Sequence, residues 1–291
     1  MLHVTSEIEA QPQAWRRAVE MLPSVAASLP RPGERVAVIG CGTSWFMAEA
    51  YAALREGTGL GETDCFTASA LPLTRDYDRL VAISRSGTTT EVLGALEASR
   101  SRSTAITTSP VLPISEVSDD TIVLDFADEE SVVQTLFATT TLMLLRASLG
   151  EDVDHVVTQA EQVLRAAPGS DVPHGGQYTF LGQGWAHGIA REAALKMREA
   201  AQRWTESYPQ MEYRHGPISI AEPGRVVWVF GEPVPGLLDD VAETGAAVVC
   251  DDLDPVADLV RAQRLAVVLA EELGLDPDRP RHLTRSVVLG A

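Results

Sequence analysis

A short apolar run that passes straight through a glycine turn into a helix occurs twice in this 291-residue chain, and that pattern restricts the fold more than any other feature. Val36 to Ile39, rich in β-branched residues, leads into Gly40-Cys41-Gly42-Thr43-Ser44 and a helical stretch to about Arg55. Tyr178 to Leu181 leads into Gly182 to Gly184 and a helix from Ala186 to Trp204. Strands this short and this uniformly apolar belong in a parallel sheet with helices on both faces. Further runs at Leu80 to Ile83, Ser103 to Thr107 and Thr121 to Leu124 alternate with helical stretches at Thr90 to Ser99 and Val132 to Leu149. Val226 to Phe230 and Ala246 to Cys250 supply later strands.

The spacing predicts a helix over Ala14 to Ser28, ended by Pro30, Pro32 and Gly33 and serving as an arm or a docking helix. After a helix near Val153 to Ala166, the Pro- and Gly-rich segment from Pro168 to Gly176 is the best domain boundary. The expected fold class is therefore α/β, with two flavodoxin-like lobes, each a parallel sheet flanked by helices. Residues 1–167 hold the N-terminal helix and the first lobe, and residues 168–291 the second lobe and the C-terminal tail.

A formal net charge of -18 repels phosphate backbones and argues against a nucleic-acid partner. No apolar stretch approaches a membrane span, and Glu7, Glu9, Arg16 and Arg17 interrupt every run that could serve as a signal peptide. Cys41, Cys65 and Cys250 have neither metal-ligand spacing nor the density of a disulfide framework. A cytoplasmic protein with no metal and no cofactor is expected, and any anionic ligand must be caught locally.

Two turns can do that. Gly42-Thr43-Ser44 and Ser84-Arg85-Ser86-Gly87-Thr88-Thr89 both carry hydroxyls where a buried strand feeds a helix. In a parallel sheet such turns open at the carboxyl ends of the strands, where helix N-termini offer unpaired N–H groups to an anion. Neither turn has Walker or dinucleotide spacing. Taken singly, each hydroxyl could be an ordinary helix cap, and Arg85 either pairs a phosphate oxygen or faces solvent.

In the second unit Glu192, Lys196 and Glu199 fall at i, i+4 and i+7, on one face of a helix. Lys196 is the only lysine in the chain. A carboxylate can move a proton between adjacent sugar carbons, and an amine can polarise a carbonyl or form an imine, so Glu199 is the candidate base and Lys196 the candidate amine. The same spacing also suits an ordinary surface ion pair. His215, in the punctuated segment Glu212-Tyr213-Arg214-His215-Gly216-Pro217, is placed to shuttle a proton during sugar-ring opening, or else faces solvent.

Together these residues resemble the sugar isomerase (SIS) family, and most closely the isomerase portion of glucosamine-6-phosphate synthase. The resemblance begins at Glu7-Ile8-Glu9-Ala10-Gln11-Pro12 and runs through both hydroxyl turns, the Glu192 to Glu199 helix and His215-Gly216-Pro217 to the tail Pro280 to Val287. It implies that Gly42, Thr43, Ser44, Ser84, Arg85, Ser86 and Thr89 hold the phosphate, with Val132 in a closing stretch from Glu129 to Thr135. It also implies that Glu199 transfers the C1/C2 proton, and that His215 opens the ring from a neighbouring subunit, so a homodimer with composite sites is expected. The departures bear on the reaction. The chain starts at Met1-Leu2, where the synthase has its glutaminase domain, so glutamine-dependent chemistry is not expected. Arg285 stands at the position of an imine-forming lysine, Thr88 replaces an acidic residue, and Ala70 follows Ser69 where glutamate is usual.

The function expected is that of a phosphosugar isomerase or deaminase acting on a hexose or amino-sugar 6-phosphate, with conversion of glucosamine 6-phosphate to fructose 6-phosphate and ammonia as the leading reaction. Aldose–ketose isomerisation, deglycation of a fructosamine phosphate and non-catalytic sugar-phosphate sensing are the alternatives.

Overall fold

A computed structural model describes residues 2–170 and 172–290; Met1, Asp171 and Ala291, which the domain limits and the linker include, lie outside the described residues. In chain order the first lobe comprises α1 (His3–Val25), β1 (Val36–Gly40), α2 (Thr43–Gly57), β2 (Thr63–Thr67), β3 (Arg79–Ile83), α3 (Thr90–Ala98), β4 (Arg102–Thr107), α4 (Pro113–Glu116), β5 (Asp120–Val123) and α5 (Leu136–Ser148). Helix α6 (Asp154–Arg165) then leads to β6 (Gln177–Gly182), α7 (Ala186–Ala201), β7 (Trp204–Pro209), α8 (Gln210–Tyr213), β8 (Arg225–Phe230), α9 (Leu237–Glu243), β9 (Ala247–Cys250) and α10 (Pro255–Glu272).

Both sheets are parallel, ordered β2-β1-β3-β4-β5 and β7-β6-β8-β9. The winding reverses between β1 and β3 in one sheet and between β6 and β8 in the other, so one architecture is used twice. The central strands β1, β3 and β6 are buried along their whole length, as their apolar sequences require. Each lobe ends its first strand on a glycine for the same reason. A Cβ on Gly40 would sit 2.6 Å from the Ser44 carbonyl carbon and 2.7 Å from the Trp45 nitrogen, and one on Gly182 would sit 2.6 Å from the His187 nitrogen. The following helix comes down directly on the strand end, and only hydrogen fits there.

One apolar cluster runs through both lobes, joining Val36, Met47 and Phe137 to Phe180, Trp228 and Leu265. Its helices form a middle layer between the two sheets, while α3 and α4 cover the far face of the first sheet and α8 and α9 that of the second. Helix α6 packs on α1 and α10. At the centre α2 crosses α7, and a Cβ on Gly188 would lie 2.6 Å from the Phe46 carbonyl oxygen and 3.0 Å from the Ala50 nitrogen. Glu49 of α2 accepts hydrogen bonds from His187 (2.6 Å) and Arg191 of α7, and Arg191 stacks over Trp45 at 3.9 Å. Burial alone would push the Glu49 carboxyl up; these partners outweigh it and hold the carboxyl below the usual range.

The first helix starts at His3 rather than near Ala14, and it docks. Pro12, inside it, cannot donate to the Ile8 carbonyl, and Gln11 Nε2 donates there instead at 3.2 Å. Gln11 also donates to Gln263 of α10 at 2.8 Å and accepts from Thr139 of α5 at 2.8 Å, while Trp15 Nε1 donates to Thr139 at 3.1 Å. This buried chain ties α1 to both lobes. The helix expected to reach Trp204 stops at Ala201, because Gln202 turns left-handed (φ 52°) and Trp204 begins an edge strand. No helix among the described residues is long and apolar enough to cross a membrane.

If the α2–α7 approach carries the lobe interface, Gly188→Val should lower the free energy of urea unfolding by about 3 kcal/mol. Gly94→Ala, in α3 with nothing within 4 Å of the added methyl, should raise it by about 0.5–1 kcal/mol.

Candidate active site

The two hydroxyl turns flank the point where the first sheet reverses its winding. Gly42 precedes the first residue of α2, Thr43 and Ser44 form its first turn, and both side chains are buried. Across the switch point, Ser84 Oγ accepts from Gly87 N at 3.1 Å, Ser86 Oγ and Thr89 Oγ1 share a hydrogen bond at 3.3 Å, and Thr89 precedes α3. Hydroxyls and helix N-termini thus converge on one edge of the sheet.

Arg85 has a different job from either one expected of it. It is 1% exposed, so it does not face solvent, and its guanidinium donates to the Ser131 (3.0 Å), Val132 (3.4 Å) and Arg285 (3.3 Å) carbonyls beside Glu129 at 3.7 Å. These contacts tie it to the wall of the site. Burial holds its charge below the usual arginine range despite Glu129.

That wall is the stretch from Glu129 to Thr135. Glu129 accepts from Thr135 N (2.6 Å) and Leu136 N (2.7 Å), capping α5, which therefore starts at Leu136 and not at Val132. Glu7 of α1 accepts from Glu130 N (2.6 Å), Ser131 N (3.1 Å) and the Ser131 hydroxyl. Val132 N donates to Asp278 O at 3.0 Å, and the Asp278 carboxylate accepts from His3 N and Val4 N, both at 2.8 Å, so the tail, the start of α1 and the wall are knotted together. Arg285 donates to the Glu129 carbonyl and the Asp128 carboxylate, and Thr88 shares a 2.8 Å hydrogen bond with Ser286, which lays the tail along the Ser84–Thr89 turn.

On α7 the expected face is real but not a surface pair. Glu192 and Lys196 are each 1% exposed, with Lys196 Nζ 3.5 Å from Glu192 and hydrogen-bonded to Glu199. Burial pushes the Glu192 carboxyl up to about 8, against the pull of Lys196 and of the Thr43 side chain from the phosphate turn. Neither Glu192 oxygen has a hydrogen bond of ordinary geometry. Burial also works against the Lys196 ammonium, but Glu192 and Glu199 outweigh it and hold the amine above the usual lysine range. Burial thus favours the neutral form of Glu192 while the neighbouring carboxyls favour the ammonium of Lys196, and Glu199 is the partly exposed member of the trio. A carboxylate so held can take a proton from a bound molecule, whereas an amine so protonated is a hydrogen-bond donor rather than a nucleophile.

His215 is exposed, between α8 and the short 3-10 helix Pro217–Ile220. Among the described residues no hydrogen bond or ion pair joins its ring to the Glu192–Lys196–Glu199 face within this chain. The Glu199 groove is instead lined by Arg281 and His282 of the tail, together with Arg198 and Arg203. Sequence reading missed these four, and only the direct adjacency of Arg198 to Glu199 signalled any of them.

Two parallel sheets of the same winding, joined through their first helices with a hydroxyl cradle at one switch point, define the two-lobed sugar isomerase fold. The chain is 31% identical to a glutamine–fructose-6-phosphate aminotransferase [isomerizing] of Pyrobaculum aerophilum, over 73% of this chain and 44% of that protein. It is 27% identical to the aminotransferase of the same name from Methanothermobacter thermautotrophicus, over 97% of this chain and 57% of that protein. It therefore spans about half the length of the relatives it matches. Among solved structures, a glucosamine-6-phosphate deaminase from Thermotoga maritima superposes with a TM-score of 0.83 at 23% identity, covering 99% of this chain and 100% of that one. A tagatose-6-phosphate ketose/aldose isomerase from Escherichia coli superposes at 0.78 and 20% identity, covering 95% of this chain's counterpart and 94% of this chain. No protein-family model matches the chain. The resemblance to the sugar isomerase family and to the synthase's isomerase portion holds along the whole chain.

The Glu192 geometry has a pH signature. Between about pH 4.5 and about pH 8 the folded carboxyl keeps a proton that the unfolded one has lost, so the native state binds more protons and stability falls as pH rises through that window. Glu192→Gln removes this loss, and its melting temperature should gain on the wild type steadily from pH 5 to pH 8.5. A difference that stays flat with pH would contradict the assignment.

Proposed function

We propose that this protein is a sugar-phosphate isomerase that moves a proton between C1 and C2 of a hexose or amino-sugar 6-phosphate. The observation that carries the reading is the meeting of two elements across the lobe interface: the Thr43 turn of the first lobe lies against Glu192 on the helix that also presents Lys196 and Glu199. Thr43, Ser44, Ser84, Ser86 and Thr89, with the N-terminal N–H groups of α2 and α3, take the phosphate, and Val132 and Arg285 belong to the wall and tail that close over it. Glu199 takes the proton and Lys196 holds that carboxylate in place. His215, exposed here, acts in ring opening from a second copy of the chain, so the working form is a homodimer with composite sites, in the cytoplasm.

The leading reaction is conversion of glucosamine 6-phosphate to fructose 6-phosphate with release of ammonia. The glucosamine-6-phosphate deaminase among its fold relatives supports testing that substrate first. One observation favours a second reading: Arg285, bound to Asp128 and Glu129, cannot form an imine, as a sensor with no turnover would not need to.

Incubation with glucosamine 6-phosphate should yield ammonia and fructose 6-phosphate together. Glu199→Gln should lower turnover by at least about 100-fold with Kd within a few-fold, and Ser86→Ala should weaken phosphosugar binding about tenfold. Binding without product in the wild type would point to another sugar-phosphate substrate or to the sensor, and full activity in Glu199→Gln would remove it as the base.

A further inference from the structure

Burying an arginine inside a turn of hydroxyls costs stability unless other groups receive its charge and its N–H donors. For Arg85 those groups lie on two other segments of the chain. Nη1 donates to the Ser131 carbonyl at 3.0 Å, and Nη2 to the Val132 carbonyl at 3.4 Å and the Arg285 carbonyl at 3.3 Å, which are 46, 47 and 200 residues away in sequence. Glu129, 3.7 Å from Nη1, supplies the counter-charge. Nε is buried with no hydrogen-bond partner, and the whole residue is 1% exposed. The guanidinium is therefore turned to the wall and the tail, not to a phosphate arriving from solvent.

The main chain of Arg85 is anchored at the opposite end. Its carbonyl accepts from the hydroxyls of Thr108 at 3.0 Å and Thr107 at 3.4 Å, where β4 ends. Its neighbours Ser84 and Ser86 bind Gly87 N and Thr89 Oγ1 within the turn. An anion held by the amides and hydroxyls of this turn bears on the Arg85 backbone, and a planar guanidinium fork carries that position across to the wall and the tail.

The tail depends on polar contacts of this kind. Val287, Val288 and Leu289 are 53%, 65% and 60% exposed, so apolar burial does not hold them. Thr88 shares a 2.8 Å hydrogen bond with Ser286, Thr90 N donates to Val287 O at 3.2 Å, and Leu289 N donates to Thr90 Oγ1 at 3.0 Å. The wall carries Glu129, whose charge reaches Lys196 on α7. Turn, wall, tail and the acid–base helix are thus linked, and Arg85 is the side chain that touches both wall and tail from the turn.

We propose that Arg85 is a positioning residue, which keeps the wall and the tail in register with the phosphate turn over the sugar end of the ligand and takes no part in holding the phosphate. The inference rests on the phosphosugar reading of this site and adds to it a residue that acts on the sugar half of the ligand alone.

Calorimetric titration of the full chain with fructose 6-phosphate, and with inorganic phosphate as its competitor, separates the two roles. In Arg85→Gln the Kd of fructose 6-phosphate should rise about tenfold while that of inorganic phosphate stays within about twofold. The amides of Ser286 to Leu289 should exchange hydrogen at least about tenfold faster than in the wild type. Arg85→Lys keeps a charge beside Glu129, should the glutamine leave the chain unfolded, but one ammonium cannot span the carbonyls of both segments, and it should weaken fructose 6-phosphate to a similar extent. Equal weakening of both ligands makes Arg85 a phosphate ligand and overturns the proposal. Unchanged fructose 6-phosphate affinity in either variant overturns it too, and in both cases the phosphosugar reading stands. Fructose 6-phosphate that does not bind the wild type, or that phosphate does not displace, overturns that reading and the proposal with it.

Discussion

The close crossing of α2 and α7 is the contact on which the rest of the molecule depends. Each is the first helix of its lobe and begins where a buried strand ends on glycine, so each carries its N-terminus to the edge of its own sheet. Gly188 lets the two backbones approach to contact, and Glu49, gripped by His187 and Arg191, fixes their rotation. Because the next turns of α7 hold Glu192, Lys196 and Glu199, this packing delivers a buried acid–base face to the hydroxyl turn of the other lobe. Neither lobe has the site by itself.

Around that crossing, charge is used to hold backbone rather than ligand. Glu7 and Glu129 bind amide groups of the wall, Asp278 caps the first helix, and Arg85 and Arg285 bind wall and tail carbonyls. The phosphate site proposed here would bind through hydroxyls and helix N-termini, by geometry, which suits a strongly acidic protein in which a free arginine at the cradle would be drawn into pairing with a carboxylate.

What was legible in the sequence was whatever is local. The β1 and β6 strands, their glycine turns and the hydroxyls beside them lie within a few residues of each other, and the spacing of Glu192, Lys196 and Glu199 is a property of one helix. The edge strands β2 and β7 were not legible, because their half-exposed residues show neither a continuous apolar run nor clean alternation. The start of α1 was hidden by Pro12, whose missing hydrogen bond is replaced by the side chain next to it. The job of Arg85 and the partners of Glu7 depend on contacts 46 and 124 residues away along the chain, and local pattern holds no trace of them. The burial of the Glu192–Lys196 pair was equally out of reach, since the same spacing serves a solvated face.

The surroundings of the amines decide which chemistry remains open to the proposed isomerase. The chain's one lysine is buried between two carboxylates that keep it protonated, and the tail position that would otherwise offer an amine holds an arginine committed to Asp128 and Glu129. Neither group can attack a carbonyl carbon. On the proposed reading, a sugar bound here is processed without an enzyme-linked imine, by the Glu199 carboxylate exchanging a proton beside the Lys196 ammonium. Glu192, whose carboxyl burial pushes up to about 8, lies on the buried side of the same amine, and Arg198, next to Glu199 on α7, adds a second positive charge near that carboxylate.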